Sequence, residues 1–531
     1  MDDLDGANAR LLPGPPDDDP SLRARRINER ETTDLGFFVV TITFAAGICS
    51  LLAGYETGVT SAALVSIGSS LSNRALTPLD KSLVTSSTAF CALFTSPLAS
   101  ILADRIGRIR VMLCADVLFV AGSLFQASCS TVAQAVAGRA IIGMATGFSS
   151  VAVPLYIAEI APALYRGRLV IATILLVTAG QVLGFMVAGA FAAWGLSEGW
   201  RWTIALGAVP ATIQAFMVVF LLPDSPRWLV MVGRVAAAQR VLRRIHGGGS
   251  GDNANGEEGG ETARRIEALV KSIQAEAREM HEARQQRKYQ KTHHMYQWLG
   301  PWRELVSERR HRRALAIACL LQALQQFSGF NSLMYFSATI FKLVGFKNPT
   351  MASLAIASIN FVFTVISLRL IDRVGRRRML LISMPLMIIG LLFAAGGFSA
   401  LHLGVSSGAP PPPAEGGAPA AAGLVFVSIL VYVAAFALGL GNVPAISSEL
   451  YPLPVRSLGT GLATSLSWTG NFVMGLTFLP LMDALNPSWT FALYAGICTG
   501  GCFLVFRLYP EMAGLSLEEA AALLDHGWTV R

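Results

Sequence analysis

The sequence predicts an all-α integral membrane protein with twelve transmembrane helices, arranged as two six-helix halves with both termini in the cytoplasm. Three observations predict this fold. The composition is poor in charge, twelve long apolar stretches follow one another, and the same charged signals recur in both halves of the chain.

The composition excludes a typical soluble protein. Of 531 residues, 53% are hydrophobic and only 14% are charged, and the mean hydropathy is +0.52. Because a soluble chain carries about 25% charged residues, several soluble domains would lack surface charge here. The first 35 residues are polar, so we expect no cleavable signal peptide.

Each apolar stretch has the length of a membrane helix, which needs about 20 residues. We expect the first to continue past Glu56 to Ser66, and a tight turn at residues 130–134 to separate the third from the fourth. The stretches are 35–55, 82–103, 117–138, 140–158, 169–197, 203–223, 314–341, 348–368, 379–401, 423–448, 457–482 and 484–506.

Basic residues orient the spans, because cytoplasmic loops carry an excess of Arg and Lys. With a cytoplasmic N-terminus, the short inner loops hold ten basic residues and the outer loops five. The predicted domains are a cytoplasmic tail (1–35), a first six-helix half (36–223), a cytoplasmic linker with amphipathic helices and a disordered insert (224–313), a second six-helix half (314–509) and a cytoplasmic tail (510–531).

Three charged signals occur in the same order in both halves, which indicates a duplicated transporter with its substrate site between the halves. They are an Asp-Arg-x-Gly-Arg loop, a Glu and an Arg seven residues apart, and a Pro followed by an acid. Pairing of these charges would hold the inner side closed; the alternative is that the arginines only set topology. The predicted cytoplasmic gate comprises Asp104, Arg105, Arg108, Glu159, Arg166, Asp372, Arg376, Glu449 and Arg456.

Five kinds of motif occur along the chain: Gly54-Tyr-Glu-Thr-Gly58, the two Asp-Arg-x-Gly-Arg loops, Pro223-Asp-Ser-Pro-Arg-Trp228, Gln325-Gln-Phe-Ser-Gly-Phe-Asn331 and Glu449-Leu-Tyr-Pro-x-x-x-Arg456. With these motifs, residues 36–515 resemble the sugar porter family of the major facilitator superfamily. Other segments, including Leu321 to Ser337 and Val344 to Asn348, are similar to those of fungal proton-coupled myo-inositol transporters.

Amide side chains inside the apolar spans must meet another helix or a polar cavity, because an unpaired amide in hydrocarbon is costly. Amides suit polyols, since each offers donors and an acceptor to a hydroxyl. A glycine at 329 permits a break in the amide-rich seventh span. The resemblance implies sugar contacts at Gln181, Gln325, Gln326, Asn331 and Asn360; plain hydrogen bonding between helices is the alternative.

Two aromatic residues match family positions. The resemblance implies that Trp468 covers the substrate and that Tyr335 gates the outer side, while packing is the alternative for both. Ala445 stands where the family usually has Trp, which leaves the identity of the substrate open.

Glu56 is an acid in the outer half of the first span, and an acid within a membrane span indicates function. Arg139, at the start of the fourth stretch, is the expected partner. The resemblance implies proton coupling by this pair, because proton symporters of the family carry an acid here and facilitators a neutral residue. A static ion pair is the alternative.

The sequence therefore predicts a proton-coupled symporter that imports a polyol, with myo-inositol preferred, through the plasma membrane. A hexose facilitator or proton/hexose symporter is the alternative, and a non-transporting nutrient sensor ranks below both. An enzyme is not expected, since no nucleophile–base pair, metal cluster or phosphate loop is apparent. We expect no cofactor, no metal and no nucleic-acid partner; the expected partners are substrate, protons and the lipid bilayer.

Overall fold

A computed structural model gives the fold. It describes residues 36–162, 165–196, 198–246, 263–264, 266–275, 278, 305, 308–401, 418–444, 451 and 456–511. The disordered insert expected in the cytoplasmic linker lies outside these residues, as do both terminal tails apart from the residues that adjoin the first and last helices.

The first half contains six membrane crossings followed by two cytoplasmic helices. The sixth crossing is divided into α6 and α7. The bounds are α1 Phe37–Ser66, α2 Pro78–Ile106, α3 Arg108–Ala127, α4 Val132–Ile160, α5 Arg166–Ala193, α6 Gly199–Ala205, α7 Ala208–Phe220, α8 Pro226–Met231 and α9 Val235–His246. The first helix ends at Ser66, as predicted. The turn between α3 and α4 covers residues 128–131 and so only overlaps the predicted turn at 130–134.

The second half repeats the arrangement with a broken seventh crossing, α10 and α11. Its helices are α10 Arg309–Phe327, α11 Phe330–Val344, α12 Pro349–Val374, α13 Arg376–Ala400, α14 Ala418–Leu438 and α15 Arg456–Leu508, with a short 3₁₀ turn at Leu440–Asn442.

Ten helices in the described part of the chain are long and apolar enough to cross a membrane. Two features reconcile this number with the twelve predicted spans. The seventh crossing is split into two short helices, and α15 contains two crossings that meet at Asn486, whose backbone is not helical (φ 66°, ψ 155°). The twelve-helix prediction is therefore confirmed.

Two predicted helix starts are wrong. The sequence places the starts of the third and fourth stretches at residues 117 and 140, but α3 begins at Arg108 and α4 at Val132. Helix α3 therefore includes Asp116, which is buried. Counting uncharged residues missed the first turns of α3, because arginines can lie at the cytoplasmic end of a membrane helix.

The internal repeat is visible in the backbone. Gly107 joins α2 to α3 with φ 97° and ψ 158°, and Gly375 joins α12 to α13 with φ 95° and ψ 151°. These positive φ values favour glycine. The ring of Trp228 lies against Gly107, and the carboxylate of Glu511 lies against Gly375. The two halves thus use the same turn, closed by the segment after each half's last crossing.

The two halves meet along three helix pairs. Helix α2 packs on α15, α5 packs on α12, and α1 packs on α11. Phe90 of α2 contacts Phe472 of α15 with ring centroids 5.2 Å apart. These contacts place the inward faces of α1, α5, α11, α12 and α15 at the boundary between the halves.

Candidate functional site

Helices α1 and α5 pack backbone against backbone because small residues face each other. Gly54 and Gly58 on α1 meet Gly180 and Gly184 on α5, and a Cβ at Gly54 would lie 1.9 Å from the carbonyl oxygen of Val177. At position 54, therefore, only the hydrogen atom of a glycine fits against α5. This contact between two G-x-x-x-G segments fixes the helix that carries the predicted proton-coupling acid against the helix that carries one predicted substrate amide.

Glu56 and Arg139 form a buried ion pair. Arg139 Nη1 donates to Glu56 Oε2 at 2.8 Å, and the side chains of Arg139 and Glu56 are 1% and 4% exposed, respectively. Ser123 Oγ donates to the other carboxylate oxygen at 3.4 Å. Gly207 lies beside the carboxylate, and a Cβ at this position would lie 3.1 Å from Oε1. The absence of a side chain at Gly207 therefore leaves room for the carboxylate.

This pair joins α1 to α3 and α4 in the outer half of the membrane. Arg139 Nε has no hydrogen-bond partner among the described residues, so the arginine has spare donor capacity. Removing one member of a buried pair leaves an uncompensated charge, which typically costs about 3–5 kcal/mol. Neutralising Glu56 would therefore leave Arg139 as a buried charge without compensation from its carboxylate.

The predicted substrate amides form two hydrogen-bonded groups. Asn360 Nδ2 donates to Gln181 Oε1 at 2.9 Å, which links α12 of the second half to α5 of the first. Asn331 Nδ2 donates to Gln326 Oε1 at 2.6 Å, and Gln326 Nε2 donates to Ser467 Oγ at 2.8 Å. These amides lie at the boundary between the halves.

Two of the predicted substrate residues lie outside these groups. Gln325 Nε2 donates to the Leu440 carbonyl at 3.0 Å and so anchors α10 to the 3₁₀ turn after α14. Trp468 is half-buried on α15, next to Ser467.

The amides of the seventh crossing lie on both sides of the break between α10 and α11. Gly329 takes a left-handed conformation with φ 88°, and the ring of Tyr494 would lie 3.0 Å from a Cβ at this position. Tyr432 donates its hydroxyl proton to the freed carbonyl of Ser328 at 2.9 Å. Phe330 stacks on Phe436 with centroids 3.7 Å apart. The predicted break is confirmed, and its unpaired backbone is satisfied by neighbouring helices.

The outer end of α11 is closed against α1. Ser61 Oγ and Ser337 Oγ lie 3.1 Å apart, and the Ala338 backbone N–H donates to Ser61 Oγ at 3.4 Å. Tyr335, the predicted outer gate, is buried on α11. Its neighbour Phe336 stacks on Phe478 of α15. The two halves are thus joined at their outer ends.

On the cytoplasmic side, three of the predicted gate residues of the first half, Asp104, Arg108 and Glu159, form one cluster. Arg108 donates to Glu159 Oε1 at 2.8 Å and to Asp104 Oδ1 at 3.2 Å. Ser225 Oγ donates to Glu159 Oε2, and Trp228 Nε1 donates to the Asp104 carbonyl at 3.3 Å. These contacts lie within the first half, where they tie the α2–α3 turn to α4 and α8.

The other predicted gate residues are less fully described. Arg105 is exposed, and Arg376 is half-buried at the start of α13. Glu449 and the side chains of Arg166, Asp372 and Arg456 lie outside the described residues, as does Ala445. Closure of the inner side by these charges therefore stays a prediction.

Asp224, the residue before Ser225, is an acid that lies just outside the membrane at the start of the cytoplasmic linker. Tyr156 donates its hydroxyl proton to the Pro223 carbonyl at 2.8 Å. Burial raises the pKa of Asp224, and the guanidinium groups of Arg110 and Arg234 act in the opposite direction.

Three polar contributors were missed from the sequence. Ser123 and Ser467, which bind Glu56 and Gln326, are ordinary residues in apolar helices and gave no signal of their own. Asp116 was missed because α3 was expected to begin one residue after it. Helical spacing offered a clue, since Asp116 and Ser123 are seven residues apart and so share a face of α3.

Comparison with known proteins agrees with this architecture. A family model described as "Sugar (and other) transporter" matches residues 42–524. Myo-inositol transporter 1 of Candida albicans is 38% identical over 497 residues, which cover 93% of this chain and 84% of that protein. Myo-inositol transporter 2 of Schizosaccharomyces pombe is 37% identical over 501 residues, covering 94% and 84%.

Solved structures show the same fold. The inward-open conformation of the xylose transporter XylE from E. coli matches with a TM-score of 0.64 and 25% identity over 91% of this chain and 99% of that one. The proton:xylose symporter XylE bound to 6-bromo-6-deoxy-D-glucose matches with a TM-score of 0.69 and 24% identity over 92% and 99%. The predicted fold is confirmed. The chain belongs to the sugar (and other) transporter family, and it is an integral membrane transporter of the major facilitator fold.

Proposed function

We propose that this chain is a proton-coupled symporter that imports a polyol, with myo-inositol as the substrate, across the plasma membrane. The observation that carries the proposal is the buried pair of Glu56 and Arg139 beside the central helices. A sugar facilitator has no need of a carboxylate that is 3% exposed in a membrane span. The names of the similar fungal proteins support myo-inositol as the substrate.

The amide groups fit a polyhydroxylated ring. Each amide accepts through its oxygen and donates through its nitrogen, which matches a hydroxyl that does both. The hydrogen bond from Asn360 Nδ2 to Gln181 Oε1 pairs one polar group of each amide. Substrate hydroxyls replace this hydrogen bond with bonds of their own to the two amides. The bound substrate then links Asn360 of the second half to Gln181 of the first. Trp468 supplies an apolar surface for the C–H face of the ring.

The proton acts through α1. Protonation of Glu56 neutralises its carboxylate, which weakens the attraction to Arg139 and loosens α1 from α4. The same helix contacts α11 through Ser61 and Ser337 at the outer end. A change in α1 therefore reaches the outer gate. The glycine contact carries the change to α5 and Gln181.

Coupling requires that the proton and the substrate favour the same conformation. An acidic exterior protonates Glu56 when the outer side is open, and the loaded carrier then turns inward. Loss of the proton to the less acidic cytoplasm restores the ion pair and resets the carrier. Substrate is accumulated because the proton moves down its own gradient in each cycle.

Uptake by purified protein in liposomes tests this function. With an acidic exterior, we expect labelled myo-inositol to accumulate above its external concentration, and a protonophore to abolish the accumulation. Equal uptake with and without the gradient, reaching only equilibrium, would indicate a facilitator. Stronger competition by glucose than by unlabelled myo-inositol would overturn the substrate assignment and favour a hexose carrier.

A further inference from the structure

A second carboxyl group is buried in the first half, away from the ion pair. Asp116 lies on α3 and is fully buried. The Cys49 thiol of α1 donates to its Oδ1 at 3.2 Å. Its Oδ2 is buried and has no hydrogen-bond partner in the described part of the chain. A thiol is a weak donor, so this carboxyl is poorly compensated as an anion.

A second unpaired oxygen lies beside the same stretch of α1. Gln214 of α7 is fully buried, and its Nε2 donates to the Ala46 carbonyl at 3.2 Å. This orientation of the amide is fixed, because a carbonyl only accepts. The remaining Oε1 is buried without a partner among the described residues. Ala46 and Cys49 are one helical turn apart on α1, so Gln214 and Asp116 contact adjacent turns of the same helix.

In the described part of the chain, no cation forms an ion pair with Asp116. Helices α1, α2, α4, α6 and α7 pack on α3. In the described parts of these helices, the Cys49 thiol is the one titratable group within hydrogen-bond distance of Asp116. Arg139 of α4 is engaged by Glu56. An unpaired carboxylate in an apolar interior is strongly disfavoured, and such a group takes up a proton instead. That proton turns one of two unpaired acceptors into a donor for the other.

An apolar layer separates this acid from the ion pair. Asp116 and Ser123 are seven residues apart on α3, which is about 10 Å along the helix. Leu52, Phe119 and Ile142 are fully buried and belong to the apolar cluster between the two acids. No described hydrogen bond bridges this cluster, so the two groups do not share a proton.

We propose that Asp116 is a second proton-binding site, which keeps its proton throughout transport and uses it to bridge α3 to Gln214 of α7. The inference is independent of the coupling role of Glu56. Asp116 is then a positioning residue: its neutral hydrogen bond fixes α3, and α3 carries the Ser123 hydroxyl that contacts Glu56.

Infrared spectroscopy of the full-length protein in liposomes tests the proposal. With aspartate ¹³C-labelled at the side-chain carboxyl, we expect a label-sensitive carboxylic-acid band at neutral pH. The band should persist in Glu56→Gln and vanish in Asp116→Asn. Asparagine has the same shape and supplies an N–H donor, so Asp116→Asn should keep gradient-driven uptake within about twofold of wild type. Asp116→Leu, which lacks a donor, should lose about tenfold or more.

Two results would overturn the proposal. One is the absence of a label-sensitive acid band in the wild-type chain, which would mean that Asp116 is ionised. This measurement needs no variant, so it decides even if Asp116→Asn fails to fold. The other is an Asp116→Asn protein that exchanges substrate but no longer accumulates it, which would mean that the proton leaves Asp116 in every cycle.

Discussion

At the scale of single residues, charge was informative and small hydroxyl groups were not. The sequence predicted the pairing of Glu56 with Arg139, because a charge in an apolar helix is costly unless an opposite charge lies beside it. It could not predict that Ser123 completes the site, since a lone serine in a membrane helix usually bonds its own backbone. Residues of that kind are assigned only by the packing of one helix on another.

The hydrogen bond between Asn360 and Gln181 gives a prediction at this scale. Asn360→Leu removes the donor and leaves the Gln181 oxygen buried without a partner, which costs about 1–3 kcal/mol. We expect the KM for substrate uptake to rise about tenfold or more, with the amount of protein in the membrane unchanged. Initial rates over a range of substrate concentrations measure this.

Gln134→Ala is the matched control. Gln134 is exposed and caps the start of α4 by accepting from the Ser130 backbone N–H. Its removal should leave the KM unchanged. An Asn360→Leu variant with the KM of this control would show that the amide pair is only a contact between helices.

At the scale of helices, glycines determine how closely the elements pack. The apolar stretches were predicted from composition, and their number was right. The sequence did not reveal which glycines lie at contacts, because a glycine facing lipid and a glycine facing another backbone look alike in one chain. Only the structure separates Gly54, where an added Cβ would meet a carbonyl, from Gly396, where it would meet no described atom within 4 Å.

This difference predicts the outcome of two alanine substitutions. Gly54→Ala forces a methyl group into the backbone of α5, and overpacking of this kind costs about 1–3 kcal/mol or more. Gly396→Ala is the control and adds a methyl group in open space. We expect a clearly lower Tm in detergent for the first and no loss for the second. Equal Tm values would mean that α1 and α5 are less tightly packed than the structure shows.

The helix break at Gly329 gives a further prediction at this scale. A side chain at a left-handed position costs roughly 1–2 kcal/mol, and the Tyr494 ring leaves little space for it. Gly329→Ala should therefore displace the amides of α10 and α11 and raise the KM. Gly500→Ala, whose added Cβ would meet no described atom within 4 Å, should not. The measurement is the KM for substrate uptake of the two variants. An unchanged KM in both would argue against a role for the break in substrate binding.

At the scale of the whole molecule, the duplication was predictable and the state of the gates was not. Repeated charge signals indicated two equivalent halves, and the matching turns at Gly107 and Gly375 agree with that prediction. Which ends of the halves touch depends on contacts between distant helices. Ser61 and Ser337, which meet at the outer end, are separated by 276 residues and carry no signal in the sequence.

The outer contact predicts a reversible lock. Cysteines at positions 61 and 337 would lie close enough for a disulfide, given the 3.1 Å between the serine oxygens. Oxidation of the Ser61→Cys, Ser337→Cys double variant should block uptake, and a reductant should restore it. Each single variant serves as control and should remain active after oxidation. Full uptake by the oxidised, cross-linked protein would show that these ends need not separate during transport.

The central claim is that the proton enters through Glu56. The direct test compares Glu56→Gln with wild type in liposomes, measuring both exchange of labelled myo-inositol and its accumulation under an imposed pH gradient. Asp483→Asn, which changes an exposed acid on α15, is the control and should behave as wild type. We predict that Glu56→Gln still exchanges substrate but does not concentrate it. Accumulation by Glu56→Gln against the substrate gradient would contradict the account.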